Sequence, residues 1–396
     1  MGTSKAVCAR KNNRAIKMKL INLAKRTYAT YKPIRDLYDR RRVNLQQVFN
    51  FSSLPFIDKQ WLSQYVNLCD KTAVAAGDLA HIFTTSGTTD SPQFVAYTKQ
   101  DWEIQTRVLK DSFQKIGITP DDIFYDLIPK TTIFGGYIAL YAIEALGATL
   151  FPAGIMELSQ HTKLITELKP TVLNGLAFFI LKLAESLSAE VRKNVRIICL
   201  VGEILFDNTR KLVKNCYPNA EIFSGYGISE IGATNECKAH DGFHFDPDLF
   251  FLEIKEPDEN GIGEVVFTSL FAQAMPLIRF MSGDKGQLLS SPCPCGCLWP
   301  RVRIFGRMDG MINIKGKLLD KQLLQKTIYA HNGIVWAHCV YHPNEQSRFE
   351  IMYIGDIEEN KLHTDIKMQF DLSPILVKYN ELPARQWKDK FIEVIQ

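Results

Sequence analysis

Residues 81–98, HIFTTSGTTDSPQFVAYT, set five hydroxyl side chains, Thr84, Thr85, Ser86, Thr88 and Thr89, around Gly87 directly behind a short apolar run. A strand that runs into consecutive Ser, Thr and Gly residues presents backbone N–H groups and hydroxyls together at a sheet's carboxyl edge, an arrangement suited to an anion. Gly87 would let the backbone come close. The spacing is not that of the GxxxxGK[ST] nucleotide loop, because paired glycines and a following lysine are missing. Alone, such a run also reads as a plain turn. A second constellation is Cys237 in NEC, His244 in GFHF, and Cys293 and Cys295 in PCPCGC. Three thiols and an imidazole are the right ligand set for a tetrahedral zinc site. The spacing is irregular, C-x6-H and then C-x-C about fifty residues later, with Cys297 as a substitute ligand. Such a closed site would staple two loops rather than do chemistry; buried cysteines beside a hydrogen-bonded histidine are the alternative.

Elements able to hold these residues alternate along the chain. Short β-rich runs (LAHIFTT, DIFYDLIP, ATLFPAG, PTVLNGLA, VRIICLVGE, AEIFSGYG) are separated by helical patterns such as DWEIQTRVLKDSFQKIG and FDNTRKLVKNCYP. That order implies an α/β fold whose mostly parallel sheets are flanked by helices. GGYIALYAIEALGA repeats apolar positions at helical spacing and closes on Gly147, so it reads as a buried helix. After residue 245, LFFLEIKEPDENGIGEVVFTSL reads as two antiparallel strands joined by a polar turn, a small antiparallel β subdomain. WAHCVYHP, RFEIMYIG and NKLHTDIKMQF mark a small, mobile α+β C-terminal domain. The expected division is a basic N-terminal arm, 1–45, a large domain, 46–308, and a C-terminal domain, 309–396.

With 46% apolar residues the chain can bury a substantial core, and no stretch approaches the ~20 apolar residues that cross a bilayer. Nine cysteines, an odd number and unevenly scattered, suit a reducing compartment such as the cytoplasm better than a disulfide framework. Residues 1–42 hold 13 Lys or Arg against Asp36 and Asp39, hence +11, and the whole chain is +4, which leaves −7 on the rest. The arm reads as solvated, or as an overlong start before Met18, with a transit segment or an anionic-surface contact as alternatives. One charge run without interleaved aromatics is no ground for expecting a nucleic-acid partner. Oligomeric state is left open.

Four segments together resemble the adenylate-forming superfamily of acyl-CoA synthetases, nonribosomal adenylation domains and luciferases. TSGTTDSPQFVAYT is similar to its TSGTTGxPK loop, and the continuation FVAYT looks most like the phenylacetate–CoA ligase branch. SGYGISEIGATNEC resembles the YGxSE segment, GEVVFTSLFAQAMPLIRFMSGDKGQL the strand pair ending in a ribose-holding acid, and CPCGCLWPRVRIFGRMDGMINIKGKLL the hinge. They stand in the family's order between about 79 and 320, and LPARQWKDK sits where the family places a C-terminal lysine.

The resemblance implies two half-reactions: a carboxylate attacks the α-phosphate of ATP with loss of pyrophosphate, and a thiol or amine then takes the acyl group and expels AMP. By the same resemblance Thr85, Ser86, Gly87, Thr88 and Thr89 wrap the β- and γ-phosphates. Tyr226 stacks on adenine within a segment that includes Gly227 and Ser229, and Glu230 holds Mg²⁺, a task for a hard oxygen ligand. Glu203 lies beside the adenine, Asp284 accepts the ribose hydroxyls, and Arg307 contacts the nucleotide. Asp309 is the hinge, and Lys388 meets the substrate carboxylate and α-phosphate. Thr88, Glu230, Arg307 and Lys388 form the catalytic set. An acid pocket for an aryl or otherwise apolar substrate is expected from Ile133, Phe134, Gly135, Gly225 and Ile228; AFFI at 177–180 either adds to it or is core. Related proteins of the branch carry Cys and His near Cys237, His244, Cys293 and Cys295, in some as structural zinc. Read without the family, Glu230 could cap a helix starting near Ser229, Asp284 could sit in a turn, and Lys388 could be one more tail lysine.

Four departures stand out. Asp90 replaces a glycine and Ser91 a lysine, so the loop gains a negative charge and loses a positive one; at ~4 Å and an effective dielectric of ~20 each is worth a few kcal/mol before screening. Gly310 replaces a second hinge acid and Trp387 the glycine before the lysine. Coenzyme A is the default acceptor. An amine, as in indoleacetate–lysine ligase-like relatives, is the alternative suggested by a short C-terminal domain, and a non-catalytic nucleotide-binding relative is a third reading.

Overall fold

The helix Lys99–Ile116 starts where Thr98 and Asp101 exchange hydrogen bonds: Asp101 N donates to Thr98 Oγ1 at 3.1 Å and Thr98 N to Asp101 Oδ2 at 3.0 Å. This reciprocal cap satisfies two N–H groups that a helix start otherwise leaves open. The buried Asp101 carboxylate also accepts Gln273 N and Ala274 N at 2.8 and 2.9 Å, fastening the helix to the antiparallel region. The helix ends at Gly117, whose φ of +102° suits a residue without Cβ. A computed structural model underlies this description, which covers residues 6–8, 14–48, 50–84, 93–131, 133–308, 310–314, 317–344, 348–380 and 391–394.

Two units divide the chain, one from residues 1–154 and 225–305, the other from 155–224 and 306–396. One limit, at 305/306, falls beside the expected boundary near 309; the others lie inside the expected 46–308 segment.

In the first unit, strands Leu79–Thr84 and Phe94–Thr98 pair antiparallel. Ile123–Asp126 and Thr149–Phe151 pair parallel, with the buried helix Phe134–Leu146 between them in sequence. A six-stranded sheet runs in the order Ala6–Cys8, Phe250–Lys255, Ile262–Ser269, Phe280–Leu289, Arg301–Arg307, Phe243–His244. Its Phe250–Lys255 and Ile262–Ser269 strands form the expected antiparallel pair, registered Phe250 on Ser269 and Lys255 on Glu264. Asp258 Oδ1 accepts Asn260 N and Ile262 N within the turn that joins them. The expectation of a solvated basic arm is corrected: Ala6–Cys8 is an edge strand, and helices Arg14–Thr30 and Lys32–Arg40 bury Leu20, Leu23, Ala24, Ile34, Leu37 and Tyr38. Lys19, Lys25, Arg26 and Arg40 are exposed on helices whose inner faces belong to the core.

In the second unit, Val172–Gly175, Ile197–Leu200 and the first half of Glu221–Ile228 run parallel. Every residue of the first two strands is buried; Ile197–Leu200 reads as an unbroken apolar run, and Val172–Gly175 carries the buried Asn174. The C-terminal part is α+β: a sheet in the order Ile375–Lys378, Arg348–Gly355, Ile334–His342, Ile392–Val394, with helices Lys321–Tyr329 and Glu359–Phe370 sharing a core that includes Ile328, Phe349, Ile351, Leu362 and Ile366. It meets the 155–224 segment through Phe206 stacked on Tyr329 at 5.3 Å and Asn208 Nδ2 donating to the Tyr329 and Ala330 carbonyls.

Candidate functional site

Glu230 sits at the tip of a hairpin rather than at a helix start. The end of Glu221–Ile228 folds back on Gly232–Asn235, registered Gly225 on Asn235 and Ile228 on Gly232, and Ile231 N donates to Ile228 O at 2.9 Å to close the turn. Both carbonyls beside Glu230 are pinned: Tyr97 OH donates to Ser229 O, and Gln105 Nε2 donates to Ile231 O. Gly232 has φ +129°, and a Cβ there would fall on the Gln105 amide, so this turn needs glycine.

The carboxylate thus held is 5% exposed. Its Oε1 pairs with Lys59 Nζ at 3.2 Å, and its Oε2 is buried without a hydrogen-bond partner among the described residues. A buried, unpaired carboxylate oxygen is costly unless something electropositive completes it. A hard divalent cation fits that donor. Lys59 opens a short helix, Lys59–Ser63, which Asp58 caps by accepting Trp61 N at 2.6 Å. A second cation, Lys71, is buried, donates to Gln93 Oε1 at 2.7 Å, and lies close enough to Glu230 for their charges to interact.

Tyr226 OH donates to Asp284 Oδ2 at 2.6 Å, so the expected adenine and ribose residues meet directly. The Tyr226 ring lies 5.3 Å from Phe243 and edge-on to Phe245. Asp284 stands within the strand Phe280–Leu289, not in a turn; Gly283 at φ +76° accompanies a register shift opposite Glu264–Val266. Gly227 faces Ala233 across the hairpin.

The expected acid-pocket residues have different exposures. Ile133 bridges Thr84, the last described residue before the Ser/Thr/Gly run, and Gly135 has open space where a Cβ would stand. Phe134 is buried among Phe83, Tyr97 and Trp102, and Ile228 is buried too. Gly136 packs on the Pro129 carbonyl with no room for a side chain. Ala177, Phe178 and Ile180 of AFFI are buried on the helix Ala177–Ser186 and are core. Glu203 and Arg307 belong to the second unit: Glu203 accepts Ala177 N at 3.1 Å, and the Arg307 carbonyl accepts Gln322 Nε2. Thr85, Ser86, Gly87, Thr88, Thr89, Asp309 and Lys388 lie outside the described residues.

Cys237, His244, Cys293 and Cys295 converge, their ligand atoms all within 4.8 Å of one another, without Cys297. Cys237 Sγ lies 3.5 Å from Cys293 Sγ, and Cys295 Sγ lies 3.4 Å from His244 Nε2. Zinc bonds of about 2.3 Å to sulfur and 2.0 Å to nitrogen give a tetrahedron with edges of roughly 3.5–3.8 Å, so the donors fit that metal. His244 Nδ1 pairs with the Trp299 carbonyl at 3.1 Å; as an N–H donor there, it leaves Nε2 free to ligate. Burial pushes the His244 imidazole below its usual range, which favours the neutral, ligating form. Cys297 N donates to Cys295 Sγ at 3.4 Å, a supporting contact rather than a ligand.

The family model described as AMP-binding enzyme matches residues 18–248, a stretch that holds both the Ser/Thr/Gly run and the Glu230 hairpin. The chain belongs to this family. It is 30% identical over 263 residues to the phenylacetate-coenzyme A ligase of Thermus thermophilus, covering 62% of this chain and 58% of that protein. It is 28% identical over 274 residues to the phenylacetate-coenzyme A ligase of Escherichia coli, covering 65% and 62%. The match therefore spans less than two thirds of these relatives' length. A 2-hydroxyisobutyryl-CoA ligase, solved in the postadenylation state with 2-HIB-AMP, has the same fold: TM-score 0.82, 18% identity, 96% of this chain and 89% of that one.

Lys59, Lys71, Tyr97 and Gln105 are the residues sequence reasoning missed. Tyr97 and Gln105 reach the hairpin from 132 and 126 residues away, and the sequence marks neither as anything but part of a strand and a helix.

Proposed function

We propose that this AMP-binding enzyme activates a carboxylic acid with ATP and passes the acyl group to coenzyme A. An acid oxygen forms a bond to the α-phosphorus, the bond to the bridging oxygen breaks, and pyrophosphate leaves. The thiol sulfur then bonds to the acyl carbon, and AMP departs with the electron pair. The observation that carries the reading is Glu230: a buried carboxylate fixed on both flanks, one oxygen on Lys59 and the other without a partner among the described residues, in a chain of this family.

Glu230 would hold Mg²⁺, which when bound lowers the repulsion between the acid and the triphosphate. Tyr226 would face the adenine and Asp284 the ribose, each giving up the other's hydrogen bond for the nucleotide. Thr85–Thr89 would take the β- and γ-phosphates, with Thr88 in the catalytic set, while Glu203 and Arg307 would contribute nucleotide contacts. Lys388 would bring a cation to the acid and α-phosphate, with Asp309 as the hinge that moves it. Ile133, Gly135 and Gly225, at least partly exposed, would meet the acid, and Phe134 and Ile228 would back them. Zinc on Cys237, His244, Cys293 and Cys295 would staple the turn after Asn235 to the loop before Arg301. The names of the relatives support coenzyme A as acceptor, and a coenzyme A ligase shares the fold over 89% of its chain. The eight cysteines whose side chains are described are free, which agrees with a reducing setting such as the cytoplasm.

The test is acid-dependent pyrophosphate release with Mg·ATP across aryl, aryl-acetic and short to medium fatty acids, without an acceptor. A narrow set of active acids is expected, and AMP formation that then rises with coenzyme A but not with amino acids. No release with any acid, from protein that binds ATP, would overturn the reading in favour of a non-catalytic nucleotide-binding protein.

A further inference from the structure

The Ser/Thr/Gly run has the wrong charge for its proposed task. Aligned on TSGTTGxPK, Asp90 takes the place of the second glycine and Gln93, rather than Ser91 at the x position, takes that of the lysine, so the segment's sequence offers a polyphosphate a carboxylate and no ammonium. The Glu230 site holds two ammonium groups from a part of the chain that no motif singled out. Lys59 pairs with Glu230 Oε1 at 3.2 Å and is half exposed. Lys71 is 3% exposed, ends the short helix Leu68–Lys71, and donates to Gln93 Oε1 at 2.7 Å. Gln93 is the first described residue after the run and begins the return to the strand Phe94–Thr98.

A lysine buried to this degree is uncommon without an anion. Its described hydrogen bond is to a neutral amide, and an ammonium has three donors. Glu230 lies within electrostatic reach but already gives Oε1 to Lys59, and no hydrogen bond joins Oε2 to Lys71. Among the described residues, two cations lie within electrostatic reach of this one carboxylate, and Lys71 is hydrogen-bonded to Gln93 at the hydroxyl-rich segment's return.

We infer that Lys71, supported by Lys59, supplies the positive charge for the β- and γ-phosphates of ATP that the loop's own sequence lacks. The inference rests on the adenylation reading above and deepens it: the phosphate-binding cation is displaced from the loop to the helix Leu68–Lys71, with Gln93 aiming it. Lys71 is then a nucleotide-binding residue that discriminates ATP from AMP, since AMP lacks the two phosphates it serves.

Calorimetric titration with ATP, pyrophosphate and AMP tests this on the full chain. Lys71→Met keeps the length of the side chain and removes the charge. ATP and pyrophosphate affinity should fall about tenfold to a hundredfold, the worth of one charge-assisted contact, while AMP affinity stays within about twofold. Lys71→Arg should retain most of the ATP affinity, and Gln93→Lys added to Lys71→Met should recover part of it by returning the cation to the loop. If the Met variant does not fold, Lys71→Gln, which keeps a polar group against Gln93, must show the same split. Equal losses for ATP and AMP would assign Lys71 a structural role and overturn the inference, as would an unchanged ATP affinity. A wild-type protein that binds AMP but not ATP would also overturn it, and one that binds neither would overturn the adenylation reading as well.

Discussion

Replacing Glu253 with Gln should be among the more damaging single changes in the first unit. Arg279 is 1% exposed, and its guanidinium is spent on four acceptors: Nε and Nη2 each donate to Glu253 at 3.0 Å, and Nη1 donates to Ser52 O at 2.7 Å and to Leu54 O. The Phe56 ring covers it at 3.8 Å. The backbone at Arg279 has φ +52°, and its N–H donates to Thr268 Oγ1 at 2.9 Å. Glu253→Gln preserves shape but leaves the arginine charge in a dry site without its counter-ion. Breaking one side of a buried pair in this way costs about 3–5 kcal/mol, because the remaining charge stays desolvated. For a unit of this size about 2–4 °C accompanies each kcal/mol, so the melting temperature of that unit should drop by roughly 6–20 °C. The paired replacement Glu253→Leu with Arg279→Met removes both charges and should recover a good part of the loss, although the Ser52 and Leu54 carbonyls then lack a donor. Differential scanning calorimetry on the wild type, the single variant and the pair provides the comparison. The damage should also reach the site: Ile57 N donates to Arg279 O at 3.1 Å and Met281 N to Ile57 O at 2.8 Å, so Arg279 anchors the segment that leads into Lys59. A single variant within about 1 kcal/mol of wild type, or a double variant no better than the single, would refute the argument that an uncompensated buried charge sets the cost.

Two further outcomes follow from the same kind of reading. Elemental analysis of protein purified under reducing conditions should find about one zinc per chain; Cys293→Ser should lose most of it and lower the melting temperature, whereas Cys297→Ser should keep it, because Cys297 stands outside the four-donor cluster. Zinc retained by Cys293→Ser would eliminate this ligand set. Gly232→Ala should cost roughly 2–4 kcal/mol, combining strain at positive φ with displacement of Gln105 from the Ile231 carbonyl, and should weaken Mg·ATP binding measured by calorimetry more than a distant surface change of equal destabilisation. Mg·ATP affinity unchanged in a folded Gly232→Ala protein would mean that the pinning of the hairpin does not serve Glu230.

The elements were legible in the sequence wherever a local pattern carried the information. Ile197–Leu200 is apolar and buried along its whole length, so its run announced a parallel strand. The turn after Lys255 could be read from its own Asp, Asn and Gly, because Asp258 bonds backbone two and four residues ahead. The Cys and His set was legible as chemistry, since few other residue types make a tetrahedral soft-donor site. What the sequence could not specify was which distant positions meet. Tyr226 and Asp284 share a hydrogen bond across 58 residues, Arg279 reaches carbonyls more than 220 residues earlier, and Lys59 finds Glu230. Helical and strand periods report only which face of an element is apolar. Burial of the basic segment's inner face, the hairpin that carries Glu230, and the two lysines beside it arise when those faces close on one another. Sequence therefore determined the kinds of groups this chain can bring to an anion, and tertiary packing decided that, among the described residues, one buried carboxylate oxygen would be left without a partner in the neighbourhood of two cations.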